Sequence, residues 1–194
     1  MNKRFKDTGM KKTGILISGL LLWVSFFSYA QEKVYTKDGK ISLFSSTSME
    51  NIEAVNKSAV ALLDTKTGDL QFAVLMKGFE FRKALMQEHF NSDYVESDKY
   101  PKSEFKGQIT NNSEINYNKD GTYTAKVKGK LTIHNETNDI ETTGTISVKN
   151  GKIQANSVFN ILLADYKITV PRMVKDNISP SIKITVDCGL EPLK

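Results

Sequence analysis

Thr122-Tyr123-Thr124-Ala125-Lys126-Val127-Lys128-Gly129-Lys130-Leu131-Thr132-Ile133-His134 alternates without a break. Tyr123, Ala125, Val127, Gly129, Leu131 and Ile133 share one face. The threonines, the lysines and His134 share the other. A period of two held this long predicts a strand with one dry and one wet face, and His134 on the wet one is expected in solvent. The same rhythm continues downstream. Ile140, Thr142, Gly144, Ile146 and Val148 form one inward set, and Ile153, Ala155, Ser157, Phe159, Ile161 and Leu163 the next. Ile182, Ile184, Val186 and Cys188 form the last. Asn150-Gly151 between two of these runs is a two-residue hairpin signal.

Upstream, Leu70, Phe72, Val74 and Met76 make one face of 69–77, and Phe105, Gly107 and Ile109 one face of 103–109. Segments 40–47 and 51–64 also read as extended, and Thr67-Gly68-Asp69 and Asp120-Gly121 mark turns. About eight strands joined by short turns must bury their dry faces together. The predicted fold is therefore all-β, an antiparallel up-and-down eight-stranded barrel of lipocalin-like shape, which also removes exposed strand edges. One segment departs from the rhythm. Phe81, Leu85, Met86 and Phe90 fall at helical spacing, which predicts a short amphipathic helix that either covers the barrel mouth or plugs its core.

The amino terminus carries a different signal. Lys11 and Lys12 precede an uncharged apolar run from Gly14 to Phe27, and Ser28-Tyr29-Ala30 supplies the small residues of a cleavage site. That order is a secretory signal peptide, and the run is shorter than the roughly 20 residues of a spanning helix. Residues 1–30 are expected to be removed and 31–194 to form one domain, in the periplasm or secreted. Met10-Lys11-Lys12 has the form of a natural start, which would make residues 1–9 an upstream extension. The intact mass of the exported protein should correspond to a chain beginning at Gln31; a membrane-bound product retaining Trp23 would contradict this.

Charge and cysteine content narrow the function. The leader holds five of the 27 basic residues and one of the 22 acidic ones, so the net charge falls from +5 to +1 without it. A nearly neutral domain has no electrostatic footprint for nucleic acid. Cys188 is the only cysteine, so no intrachain disulfide forms; the residue reads as a buried strand residue or a reactive thiol. The two histidines, His89 and His134, belong to no cluster with metal-ligand spacing, and no Gly-x-Ser-x-Gly elbow is present. Neither a metal, a cofactor nor a catalytic constellation is expected. Asp165, before Tyr166 and Lys167, is the one polar anomaly. It reads either as a head-group contact or as a turn former where a strand leaves the barrel.

Three stretches carry a resemblance. The first runs from Leu85-Met86-Gln87-Glu88-His89-Phe90 to Lys99-Tyr100-Pro101-Lys102-Ser103-Glu104-Phe105. The others are Gly129-Lys130-Leu131-Thr132-Ile133-His134 and the late strand Phe159 to Ile168. Together they resemble the YceI-like family, the polyisoprenoid-binding, lipocalin-shaped domains of bacterial periplasms. The chain departs from the family at Asn135, where a glycine is usual, and at Phe44-Ser45-Ser46, where a His-Ser pair is usual. The resemblance implies a barrel holding a long-chain isoprenoid or similar lipid. The implied ligand contacts are Phe81, Leu85, Met86 and Phe90 of the helix stripe, then Phe105, Ala125, Gly129 and Leu131 of the middle strands. Phe159 and Ile161 follow on the late strand, with Asp165 and Tyr166 beside the head group. Small inward residues leave room for a chain, but they also suit a barrel filled by its own side chains. Two further readings therefore stand beside the lipid carrier: a filled barrel serving protein interaction or stress, and an enzyme acting on a lipid or quinone through Asp165 and Tyr166.

Overall fold

Inward and outward residues alternate through most of the long strands of the computed structural model, which describes Met1 and residues 33–193. Except for Met1, the expected leader lies outside the described residues. Eight long strands are present: β1 (Lys33–Ser46), β2 (Asn51–Asp64), β3 (Asp69–Leu75), β5 (Lys102–Ile109), β6 (Gly121–Ile133), β7 (Glu136–Lys149), β8 (Lys152–Leu162) and β9 (Ser181–Pro192). A two-residue strand, β4 (Glu80–Phe81), pairs with Ala54 and Val55 of β2. All pairings are antiparallel, each long strand lies beside its sequence neighbour, and β1 pairs with both β2 and β9. The sheet thus closes on itself, and among the described residues no long strand is left as a free edge.

Turn chemistry fixes the register. Asn150 and Gly151 take φ of 51° and 73°, as a type I′ hairpin requires. His134 and Asn135 do the same between β6 and β7, with φ of 51° and 62°. Asn135 thus serves where glycine is usual, because asparagine tolerates the left-handed region. The alternation of β1 is broken by register shifts between Thr36 and Ile41, which is why its first half did not read as a strand.

The chain folds so that one end of the barrel holds the turns 65–68, 110–120 and 150–151. The other end holds the β1–β2 turn, the long insertion from Met76 to Pro101 and the connection from Leu163 to Pro180. We call the second end the mouth. Two apolar clusters line the barrel interior. One is built around Leu63, Ile109, Ala125 and Ile146, away from the mouth; the other around Ile41, Met76, Phe79 and Ile182, towards it. Leu131 and Val186 touch both. Cys188 is fully buried, with its sulfur against Gly39, and burial pushes its thiol up to about 11. It is a core residue rather than a reactive thiol.

The expected helix forms as α1 (Ala84–His89), followed by a wider turn over Phe90–Tyr94. Its face differs from the expected stripe. Phe81 belongs to β4, outside the helix, so the inward face is set by Met86 and Phe90, four residues apart. Leu85 then lies about 100° around the axis. It is 61% exposed, whereas the half-buried Gln87 accepts the Phe81 N–H at 3.2 Å.

Candidate functional site

A cavity of about 360 Å³ runs between the two apolar clusters and opens at the mouth. Its inner wall is the inward face of the strands: Phe72, Phe105, Ala125, Leu131, Ile146 and Phe159 are among its residues. The cavity exists because several inward positions are small. Ala125 and Ala155 face it, and Gly144 and Ser157 pair across β7 and β8. Phe72 and Phe105 lie with centroids 6.3 Å apart on adjacent strands, and Phe105 stands opposite Leu131 in the ladder. The lumen is therefore apolar along its length, with sparse hydroxyls such as Thr142 and Ser157, which lie 3.3 Å apart.

The mouth is covered by two segments that meet at one carboxylate. Glu50, in the β1–β2 turn, lines the cavity. Its Oε1 accepts from Lys83 Nζ at 2.9 Å, at the start of α1. Its Oε2 accepts from Asn177 Nδ2 at 3.3 Å, in the β8–β9 connection. Ser45, buried beside it, accepts the Ser179 N–H at 2.8 Å. Phe79, Phe81 and Phe90 form an aromatic group in the same region, the Phe90 ring edge-on to Phe79 at 5.6 Å and tilted against Phe81 at 4.9 Å between centroids. The helix is thus a cover over the lumen.

Hydrogen bonding from Lys83, then Asn177, holds the Glu50 carboxyl below its usual 4.5. A depressed carboxylate contributes its tie above that ordinary value, and the contribution is lost as pH falls through the lowered one. Corrected for the intrinsic rate, hydrogen exchange over 82–94 and 171–180 should therefore lose protection as pH falls through that lowered value. Glu50→Gln should show the faster exchange already at neutral pH. Identical exchange in variant and wild type would show that Glu50 does not hold the cover.

A second polar group closes the neighbouring side. His134 Nδ1 faces the Tyr166 carbonyl oxygen at 3.1 Å, and Nε2 faces the Glu96 carboxylate at 2.8 Å. The Tyr100 ring meets the imidazole edge-on at 4.6 Å. The His134 side chain is only 14% exposed, so the expectation of a solvated histidine is corrected: the I′ turn tips it off the strand into this cluster. Hydrogen bonding from His134 is the main reason the Glu96 carboxyl lies below its usual value.

Of the residues expected to contact a ligand, Phe81, Met86, Phe90, Phe105, Ala125, Leu131, Phe159 and Ile161 lie in the cavity wall. Leu85, Gly129, Asp165 and Tyr166 do not. Leu85 faces solvent for the helical reason given above. Gly129 pairs with Gly107, and the Phe105 ring covers both, so the ring takes the wall position. Leu163–Tyr166 is a 3-10 turn: Asp165 is exposed, and Tyr166 is 1% exposed inside the cluster nearer the mouth. Burial pushes its phenol up to about 12. Asp165 uses its backbone carbonyl, which accepts from Asn138 Nδ2 at 2.7 Å. The Asp165–Tyr166 pair is thus part of a turn that leaves β8 and is held against β7 through Asn138. Glu50, Ser45 and Asn177 were missed because their meeting joins positions more than 120 residues apart.

The YceI-like domain model matches residues 25–190. The chain belongs to the YceI-like domain family. Among curated proteins none matches it. Solved structures share the fold of this YceI-like barrel. A polyisoprenoid binding domain from Saccharophagus degradans superposes with a TM-score of 0.73 at 11% identity, over 84% of this chain and 99% of that one. BcnA from Burkholderia cenocepacia gives 0.64 at 16% identity, over 79% and 96%. The YCEI protein of Campylobacter jejuni gives 0.52 at 17% identity, over 98% and 99%.

Proposed function

We propose that this YceI-like protein is exported to the periplasm and holds a long-chain isoprenoid or similar amphiphilic lipid in its barrel, acting as a carrier rather than an enzyme. The observation that carries the reading is the size and lining of the cavity. An unfilled apolar hole costs roughly 24 cal/mol per Å³. An apolar occupant removes that cost. The volume also falls in the range of about 300–1,000 Å³ typical of ligand pockets. A barrel filled by its own side chains would leave no such lumen. The likeness to a polyisoprenoid binding domain supports isoprenoid as the ligand class.

The test is direct. The protein is purified from the periplasm without detergent, extracted with organic solvent, and the extract analysed by mass spectrometry. A long-chain lipid in near-stoichiometric amount is expected. An extract without lipid, together with no uptake of an added polyprenol, would overturn the reading.

A further inference from the structure

The barrel wall is not paired along its whole height between β7 and β8. Their ladder starts at Lys149 opposite Lys152 and ends at Gly144 opposite Ser157. Both strands run on, β7 back to Glu136 and β8 forward to Leu162. The same register would set Thr143 to Asp139 against Val158 to Leu162, roughly 15 Å of further ladder. Among the described residues these positions do not pair with one another, although β7 stays paired with β6 and β8 with β9 along the same stretch. The two strands therefore part. At the upper margin of the gap Asn138 Nδ2 donates to the Asp165 carbonyl oxygen of the turn that leaves β8. At the lower margin Ser157 Oγ donates to the Thr143 carbonyl oxygen at 3.2 Å, where the next ladder bond would be.

Burial changes where the strands part. The inward residues of the paired half, Ile146, Val148, Ile153 and Ala155, are buried. Ile140, Thr142 and Phe159 on the parted half are only half-buried, although they line the cavity. Thr145 and Asn156, the pair next to the ladder's end, alternate outward and yet border the cavity too. The lumen thus reaches the strand backbone at the margin of the gap, where Gly144 has no side chain to cover it. Outside, Val158 and Leu162 are 58% and 49% exposed, so apolar surface continues from the lumen across β8 to the outer face. Passage through the mouth requires Glu50 to release Lys83 and Asn177 and the rings over the lumen to separate. Passage through the gap disturbs hydroxyl contacts at its margin, which water replaces at little cost. We propose that the gap between β7 and β8 is a lateral portal, through which the chain of the bound lipid enters and leaves the lumen while the mouth stays covered. The inference rests on the carrier reading and adds the route to it.

Glu141→Cys with Asn160→Cys places two exposed thiols on opposite sides of the gap, and a short bis-maleimide bridges them. Cys188 is fully buried and stays unreacted. Stopped-flow mixing with a fluorescent polyprenol reads uptake and release. Bridging should slow both about tenfold or more and leave the affinity unchanged, because a route serves both directions alike. The control is Lys106→Cys with Lys130→Cys, opposite one another in the paired β5–β6 ladder, where the same bridge should change neither rate. Thermal melting checks that both double variants fold. Exchange as fast with the gap bridged as without overturns the portal and leaves the carrier reading standing, with the mouth as its route. A wild type that takes up no polyprenol overturns both. A benzophenone attached to Glu141→Cys alone reads the route without a bridge. On illumination it should cross-link to bound polyprenol, and the same label on Lys106→Cys should not; equal cross-linking at the two positions overturns the portal.

Discussion

Gly129→Trp is expected to destabilise the barrel by more than about 3 kcal/mol, or to prevent folding. A side chain at Gly129 would place its Cβ 2.5 Å from both the Gly107 Cα and the Lys106 carbonyl oxygen, and 2.7 Å from the Phe105 ring. The first two are backbone, which cannot swing aside as a flexible side chain can. The ring could move only into the lumen. A loss of that size lowers the melting temperature by roughly 10 °C in a domain of this length. Gly189→Ala is the contrasting change. Its new methyl would meet only the end of the Gln154 side chain, at 3.2 Å, and should leave the melting temperature within about 2 °C. Equal melting curves for the two variants would show that the close crossing of β5 and β6 does not exist. The glycine at 129 is thus required by the approach of two strands, and a bulky residue there cannot distinguish a hollow barrel from a filled one.

Leu131→Trp makes that distinction. Leu131 is half-buried, lines the cavity and touches both apolar clusters, so it stands where the lumen passes from one to the other. The indole would extend into open volume. Displacing about 100 Å² of apolar contact from a ligand corresponds to a loss of affinity of roughly 50-fold. The melting temperature should stay within about 4 °C, because the lumen accepts the added atoms. Titration with a fluorescent polyprenol, together with thermal melting, reads both quantities. A destabilised variant with unchanged affinity would mean that the lumen is packed and that the ligand sits elsewhere.

The strands were legible because each has one wet and one dry face. Tyr123 to Ile133 alternates as β6 does, and Asn150-Gly151 turns where its residue types require. Legibility failed where the chain stops obeying a fixed period. The bulges between Thr36 and Ile41 hid half of β1. The helix stripe was two residues too wide, because Phe81 pairs with Ala54, Leu85 faces solvent, and only Met86 and Phe90 set the inward face. Of the six strand residues named as ligand contacts from the family resemblance, Phe105, Ala125, Leu131, Phe159 and Ile161 lie in the cavity wall, and Gly129 does not, because backbone approach replaces a side chain there. The mouth could not be read. Glu50, Lys83 and Asn177 carry no local pattern, and their meeting depends on how two connections fold back over the barrel. Asp165 and Tyr166 looked like a site because a carboxylate beside a phenol is unusual after an apolar run. Their chemistry is spent on a turn.

The pairing of β1 with β9 has a consequence for how the molecule assembles. Val34 lies opposite Pro192, so the first strand waits for the last before its second edge is covered. Every other ladder of the barrel joins neighbours in sequence and can form locally. Closure alone needs a contact across nearly the whole chain, which is the slowest kind to find because so much loop entropy must be lost first. Until then β1 offers an unpaired edge, the feature most prone to pairing with another molecule. The enclosed lumen exists only where the β1–β9 ladder is formed, so anything held inside it depends on a contact between the two ends of the barrel sequence.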